Sequence, residues 1–208
     1  MPANERDKSQ WDEVYRKAPP GTLPWEQSGV SEELMDILSK GVIDSGRALD
    51  VCSASGYNTV YIAKQGFQSD GIDISSRAVE LARERAAKAG VSCSFLAGDV
   101  LAMPYDDETF TFVFDRGCFH TIAPRKRKVF IREICRVLKT KGKYLLVCFT
   151  RRAWGGGGPP YIFTPGEIER YFSSLFNIVS LRKLEGKEAG GTGDAYLSVL
   201  MEKRYIDR

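Results

Sequence analysis

Histidine is nearly absent from this 208-residue chain, with His120 its only copy. Five cysteines, at 52, 93, 118, 135 and 148, form no CxxC pair and no Cys/His metal spacing. An odd, scattered set of this kind argues against a disulfide framework and for a reducing compartment. No metal site is expected. No apolar run is long enough to span a bilayer, and the polar start Met1–Lys8 has no signal-peptide apolar region. The expectation is a cytoplasmic protein with no membrane role. The net charge of +3 is too small to argue for nucleic acid, and the basic run Arg125–Lys128 reads as a solvated helix turn. Repeats and low-complexity tracts are missing too; the nearest feature, Gly155–Pro160, reads as a loop.

What is present is the composition of an ordinary globular chain, 43% apolar and 27% charged. Its length suits one α/β domain over 1–208. Within it, strands and helices alternate. Arg47–Ser53, Gln68–Ile74, Val91–Ala97, Phe110–Asp115 and Lys143–Thr150 read as buried strands. Between them, Tyr57–Gln65 and Lys126–Leu138 read as helices. So does a segment capped by Ser75 or Ser76, with Ala78, Leu81, Ala82, Ala86 and Ala89 on one face and Gly90 as its stop. Right-handed crossovers and a mostly parallel sheet follow. Thr164-Pro165-Gly166-Glu167 is a capping box that starts a helix. Phe176–Leu184 and Ala195–Lys203 then read as an antiparallel hairpin joined by Glu185–Asp194. The whole is a Rossmann-like seven-stranded sheet with helices on both faces. It divides into a helical N-terminal lid over 1–40, a ligand-binding half over 46–150 and a substrate-side half over 151–204. The lid segment carries Trp11, Tyr15, Pro24 and Trp25, then a helix capped by Ser31 with Leu34, Met35 and Leu38; by position it could fold over the carboxyl ends of the strands.

In such sheets ligands sit at the carboxyl ends of the strands. Asp50, Asp73 and Asp115 close three strands, and Asp99 follows a fourth. Asp73 suits both hydroxyls of a ribose. Asp99 suits an adenine amine, with Val100 or Ile74 against the ring. A carboxylate near the turn suits an ammonium group. The turn itself, Asp50 to Gly56, is a run of small residues that lets backbone approach a ligand, though Asp50 could equally cap the turn's own N–H groups. A dinucleotide loop needs glycines at the positions of Cys52, Ala54 and Tyr57, and Tyr57 would block a pyrophosphate.

The spacing Asp50-x-Cys52-x-Ala54-x-Gly56 instead resembles motif I of class I S-adenosylmethionine-dependent methyltransferases. Gly71–Ser75 resembles their ribose motif and Gly98-Asp99-Val100 their adenine motif. Asp115-Arg116-Gly117, followed by Cys118, Phe119 and His120, resembles the thiopurine, thiol, halide and tellurite methyltransferase group more narrowly. So do the early Trp11…Tyr15…Pro24-Trp25 pattern and Gly158-Pro159-Pro160-Tyr161 leading into the Thr164 helix start. The resemblance implies a donor held by Trp25, Asp50, Cys52, Ala54, Gly56, Asp73, Ile74, Asp99, Val100 and Asp115. It places Arg116 near the methionine carboxylate or the substrate, and Trp11 and Trp25 in a lid. The product would be S-adenosylhomocysteine.

Cys52 and Ala54 depart from that pattern. Each adds bulk where the family has glycine, so weakened donor binding, a shifted loop path or a donor seated further out is expected. Transfer from a sulfonium is an in-line displacement in which alignment and water exclusion do most of the work. A thiolate, a selenium or tellurium species, or a halide needs little help from a base, whereas an oxygen or amine acceptor more often does. With one histidine, a soft nucleophile is favoured. Arg116 and His120 are the candidate catalytic residues, although a histidine at a helix start also serves structure, as Cys118 does as a small buried hydrophobe. The alternatives are a binding module that kept the fold and lost the donor, a methyltransferase of a hydroxyl, amine or carbon metabolite, and a nicotinamide oxidoreductase. The partner is a small molecule and the protein a monomer.

Overall fold

The computed structural model describes residues 8–19, 21–26, 29–151, 160–185 and 195–205. The glycine-rich stretch before Pro160 and most of the Glu185–Asp194 connection, both read as loops, lie outside them. Two helices come first, α1 (Lys8–Lys17) and α2 (Glu32–Ser39). Then β1 (Arg47–Val51), α3 (Tyr57–Lys64), β2 (Gln68–Asp73), α4 (Ser76–Ala89) and β3 (Cys93–Ala97) alternate. They are followed by β4 (Phe110–Arg116), α5 (Arg127–Val137), β5 (Leu138–Arg151), α6 (Pro165–Phe172), β6 (Phe176–Glu185) and β7 (Ala195–Lys203). The seven strands form one sheet in the order β3-β2-β1-β4-β5-β7-β6. The first five run parallel, and β7 pairs antiparallel with both β5 and β6.

The side-chain alternation along each strand sorts the core into two faces. Leu49, Val51, Val113, Tyr144 and Leu146 meet Phe130 and Ile134 of α5 and Phe172 of α6. Ala48, Phe112, Phe114, Leu145 and Val147 meet Leu34 and Ile37 of α2 and Ile62 of α3. Helix α4 packs separately, with Val79, Ala82 and Ala86 against Val60 and Phe95. The helix ends are closed as the sequence implies. The Ser31 hydroxyl accepts the Leu34 N–H, and Ser75, not Ser76, accepts the Ala78 N–H. Thr164 and Glu167 make the reciprocal capping box of α6.

One detail differs from the sequence reading, and a second goes beyond it. β5 begins at Leu138, directly on the end of α5, because a register shift between Phe110 and Phe112 lets Leu138 pair with β4 before the main ladder starts at Lys143. The C-terminal hairpin enters the sheet through its second strand, so β7 lies inside and β6 at the edge. Strand order reverses between β1 and β4, which opens a crevice at their carboxyl ends.

Candidate active site

The turn after β1 takes the left-handed conformation at three alternate positions: Cys52 (φ 53°), Ala54 (φ 51°) and Gly56 (φ 80°). Cys52 and Ala54 thus hold backbone angles that glycine takes freely. Two non-glycine residues accept backbone angles that cost about 1 kcal/mol each. Gly56 is required on a second count, since a Cβ there would lie 2.8 Å from the Ala82 methyl carbon.

Hydrogen bonds hold this path. Ser53 N–H donates to the Ile72 carbonyl at 3.0 Å, and Gly56 N–H to the Ser53 carbonyl at 2.9 Å. Ala54 N–H donates to Asp73 Oδ2 at 2.9 Å, and Ser55 N–H to Glu26 Oε1 at 3.3 Å. Arg85 stacks on Tyr57 and donates to the Ser55 carbonyl at 2.7 Å. Two loop amides that a pyrophosphate would need are thus taken by carboxylates. A dianion would meet negative charge here, whereas a cationic ligand would be welcomed.

Asp73 is buried at the end of β2, and its other oxygen accepts the Ser75 N–H at 2.9 Å. Burial raises its carboxyl to about 6 against these two hydrogen bonds, with Asp12 and Glu26 adding repulsion. Asp50 and Asp115 lie one residue inside their strands, not at the crevice edge. Asp50 accepts the Thr59 hydroxyl at 2.7 Å beneath α3. Asp115 accepts the Tyr144 hydroxyl at 2.8 Å and the N–H groups of Cys118 and Phe119. Burial pushes each to about 7. Asp115 thus supports the turn after β4 from below, while Asp50 ties β1 to α3. Asp99 is exposed and caps its own turn, accepting the Leu101 N–H at 2.9 Å; Val100 is buried and Ile74 half-buried. Among the described residues, Glu26, Asp50, Asp73 and Asp115 have no Lys or Arg ion-pair partner.

The segment from α1 to α2 lies across these turns. Asp12 accepts the Ser75 hydroxyl at 2.7 Å and the Arg77 N–H at 3.1 Å, docking α1 on the start of α4. Trp25 donates its indole N–H to the Tyr15 hydroxyl at 2.9 Å and meets Trp11 edge to face. Arg116 reaches up from β4 and donates to the Trp25 carbonyl at 3.2 Å. Asn58 accepts the Ser31 N–H at 2.9 Å. Glu26, buried, also accepts the Gly21 N–H at 3.3 Å and ties this segment to the loop after β1. The sequence reading missed Glu26 and Asp12 as contributors, whereas Tyr15 was already placed in the lid segment. The signal available was Glu26 beside Trp25, an acid next to a residue already singled out.

His120 is buried in a short helical turn after β4. Its ring stacks on Phe149 at 4.6 Å, and Phe149 stacks in turn on Tyr196 at 4.4 Å. Nδ1 accepts the Phe149 N–H at 3.4 Å, so in the neutral ring the proton sits on Nε2. The cysteines hold a further surprise. Cys52 and Cys118, 66 residues apart and read from the sequence as unpaired, are joined by a disulfide across the reversal point. A cavity of about 470 Å³ lies between α3 and α4, lined by Tyr57, Tyr61, Lys64, Leu81 and Arg85. It shares Ser55 with the loop after β1, but none of Asp73, Asp99 or Arg116 borders it.

Comparison with known proteins agrees with this geometry. Residues 48–142 match the family model described as a methyltransferase domain. A probable thiol methyltransferase 2 of Arabidopsis thaliana is 25% identical over 181 residues, covering 86% of this chain and 78% of that protein. A 2-heptyl-1-hydroxyquinolin-4(1H)-one methyltransferase of Mycobacteroides abscessus is 24% identical over 169 residues, covering 79% and 72%. The solved structure of the 1,6-didemethyltoxoflavin-N1-methyltransferase of Burkholderia thailandensis holds S-adenosylhomocysteine. It superposes with a TM-score of 0.74 at 19% identity, over 95% of this chain and 87% of that one. No helix of the described residues is long and apolar enough to cross a membrane. The methyltransferase-domain match over 48–142 and these relatives support an S-adenosylmethionine-dependent methyltransferase on the class I fold over the binding-module and oxidoreductase alternatives.

Proposed function

We propose that this enzyme methylates a small, soft nucleophile: a thiol, a selenium or tellurium species, or a halide. The observation that carries this reading is the state of its only histidine. His120 spends Nδ1 on the Phe149 N–H, and its ring is buried and stacked on Phe149. With that lone pair engaged, the ring is not set to remove a proton from an acceptor. The carboxylates Asp50 and Asp115 are committed to Thr59, Tyr144 and the turn amides. An acceptor that arrives as an anion suits such a site. The relation to a thiol methyltransferase points the same way.

S-adenosylmethionine, when bound, supplies a methyl group already activated on a sulfonium. The chain's residues bind it, orient it and exclude water. Asp73 keeps unused lone pairs on both oxygens for ribose hydroxyls. Asp99 would accept from the adenine amine, and Val100 and Ile74 would pack against the ring. The Cys52–Gly56 loop backs the methionine end, where the unpaired charges of Asp73 and Glu26 favour a cation. Arg116 holds the lid through Trp25, and Trp11, Tyr15 and Trp25 form its apolar underside. We place the enzyme in the cytoplasm, as a monomer without a nucleic-acid partner.

One observation favours a second reading, an aromatic hydroxyl acceptor. The His120–Phe149–Tyr196 stack offers a flat wall, and a relative is named for a hydroxyquinolinone. A methyl-transfer panel with hydrosulfide, aryl thiols, iodide, selenite, tellurite, phenols and an N-hydroxy heterocycle separates the two. The soft-nucleophile reading expects turnover on thiols or halides, with His120→Gln keeping at least about a tenth of it. Turnover confined to hydroxyls and abolished by His120→Gln would replace it with the second reading.

A further inference from the structure

The Cys52–Cys118 bond has a place in the fold that bears on cofactor binding. Cys52 is the first residue after β1 and Cys118 the second after β4, the neighbouring strands between which strand order reverses. Their Cα atoms are 5.4 Å apart, inside the range that a disulfide spans without moving backbone. Cys118 is fully buried and fixed. Its N–H donates to Asp115 at 2.7 Å, and its carbonyl accepts the Thr121 N–H at 2.9 Å and hydroxyl at 2.8 Å. Cys52 is only half-buried and holds a left-handed backbone that glycine would take freely. Cys135 and Cys148, by contrast, are unpaired and buried.

We infer that Cys52 and Cys118 form a reversible dithiol–disulfide pair that sets how tightly the loop after β1 holds S-adenosylmethionine. With the bond closed, Cys52 is tethered to an immobile partner, and the left-handed path that puts Ala54 N–H on Asp73 is maintained. With the bond open, the two sulfurs must part to van der Waals separation. Cys118 cannot yield, so Cys52 moves and its backbone relaxes toward the ordinary φ < 0 regions. The binding-competent loop is then only one of several states, and the apparent affinity falls by its population.

Closure needs an oxidant, and a low-molecular-weight disulfide suffices. The Cys52 thiolate attacks one of its sulfurs and releases a first thiolate. The Cys118 thiolate then attacks Cys52 Sγ of the mixed disulfide and releases a second. One protein disulfide forms, one small disulfide is reduced to two thiols, and the two cysteine protons end on those thiols. Excess thiol reverses both steps.

The inference rests on the donor lying against the Cys52–Gly56 loop, and its test separates the two ideas. Full-length protein is equilibrated with glutathione disulfide or with a phosphine reductant. Thiols are counted after denaturation, the bridged peptide is mapped, and S-adenosylhomocysteine binding is measured by calorimetry in each state. The five cysteines should titrate as five thiols when reduced and three when oxidised, with residues 52 and 118 linked. The oxidised form should bind about threefold to tenfold tighter, and re-reduction should restore the weaker value. Cys118→Ala should bind like the reduced form in both buffers. Cys52→Gly should bind as tightly as the oxidised form and ignore redox state. Persistence of five thiols in glutathione disulfide overturns the inference. So does a closed pair whose affinity stays within about twofold of the open form, or falls below it. A pair that closes as expected while neither state binds S-adenosylhomocysteine overturns instead the placement of the donor, and with it the effect on affinity.

Discussion

Asp73 accepts the backbone N–H of Ala54 at 2.9 Å, and this bond clamps the end of β2 to the loop after β1. The same carboxylate is the group best placed to receive the ribose. Asp73→Ala should therefore act twice. It should cost about 1–3 kcal/mol of stability by leaving Ala54 N–H and Ser75 N–H without their acceptor. It should also weaken S-adenosylhomocysteine binding by at least about tenfold. Asp73→Asn keeps one acceptor oxygen and should fall between. Thermal unfolding and calorimetry on the three proteins check both effects.

Glu26 joins the lid to the loop through Ser55 N–H and carries a buried negative charge without an ion-pair partner among the described residues. Glu26→Gln preserves shape and removes the charge. It should weaken binding of the sulfonium-bearing donor about fivefold to tenfold and of its homocysteine product, whose sulfur is neutral, about twofold at most. Equal losses for both ligands would mean that Glu26 acts only as a hydrogen-bond acceptor.

Burial raises Asp50 and Asp115 to about 7 and Asp73 to about 6, above the unfolded value near 4. The sign follows from linkage. Between about pH 4 and 7 the native state holds protons that the unfolded chain has released, so stability declines as pH rises through that window. Below it the contribution of these groups is fully present. A cationic donor favours the ionised carboxylates and reverses the trend for binding. Donor affinity should rise from pH 5.5 to 8 with proton release, seen as a buffer-dependent binding heat, and the product should show less of it.

Ala54 holds φ 51°, where a side chain is unfavourable. Ala54→Gly should raise stability by about 0.5–1 kcal/mol and leave donor affinity equal or tighter. A loss of stability, read by denaturant unfolding, would mean that the methyl group packs against something that outweighs the backbone gain.

Much of the parallel half of the fold was legible because its strands are short apolar runs separated by capped helices, as Ser75 and Gly90 around α4 illustrate. The position of β7 between β5 and β6 was not legible, since no local pattern says which strand of a hairpin joins the sheet. In the site, the strand-end acids were visible, but their directions were not. A side chain's face reverses with each residue along a strand. Asp50 and Asp115, one step short of the ends, turn to Thr59 and Tyr144 in the interior. Glu26 was hidden in a connection without periodicity. The Cys52–Cys118 contact joins residues 66 apart and exists only because β1 and β4 are neighbours.

The defining property of the site is an acid-lined loop that accepts an adenosyl amino acid and rejects a pyrophosphate. Calorimetric titration of the protein with S-adenosylhomocysteine and, separately, with NAD tests this most directly. One equivalent of S-adenosylhomocysteine should bind with a roughly micromolar dissociation constant, lost in Asp73→Ala, and NAD should give no heat. Binding of NAD, or silence with S-adenosylhomocysteine, would contradict it.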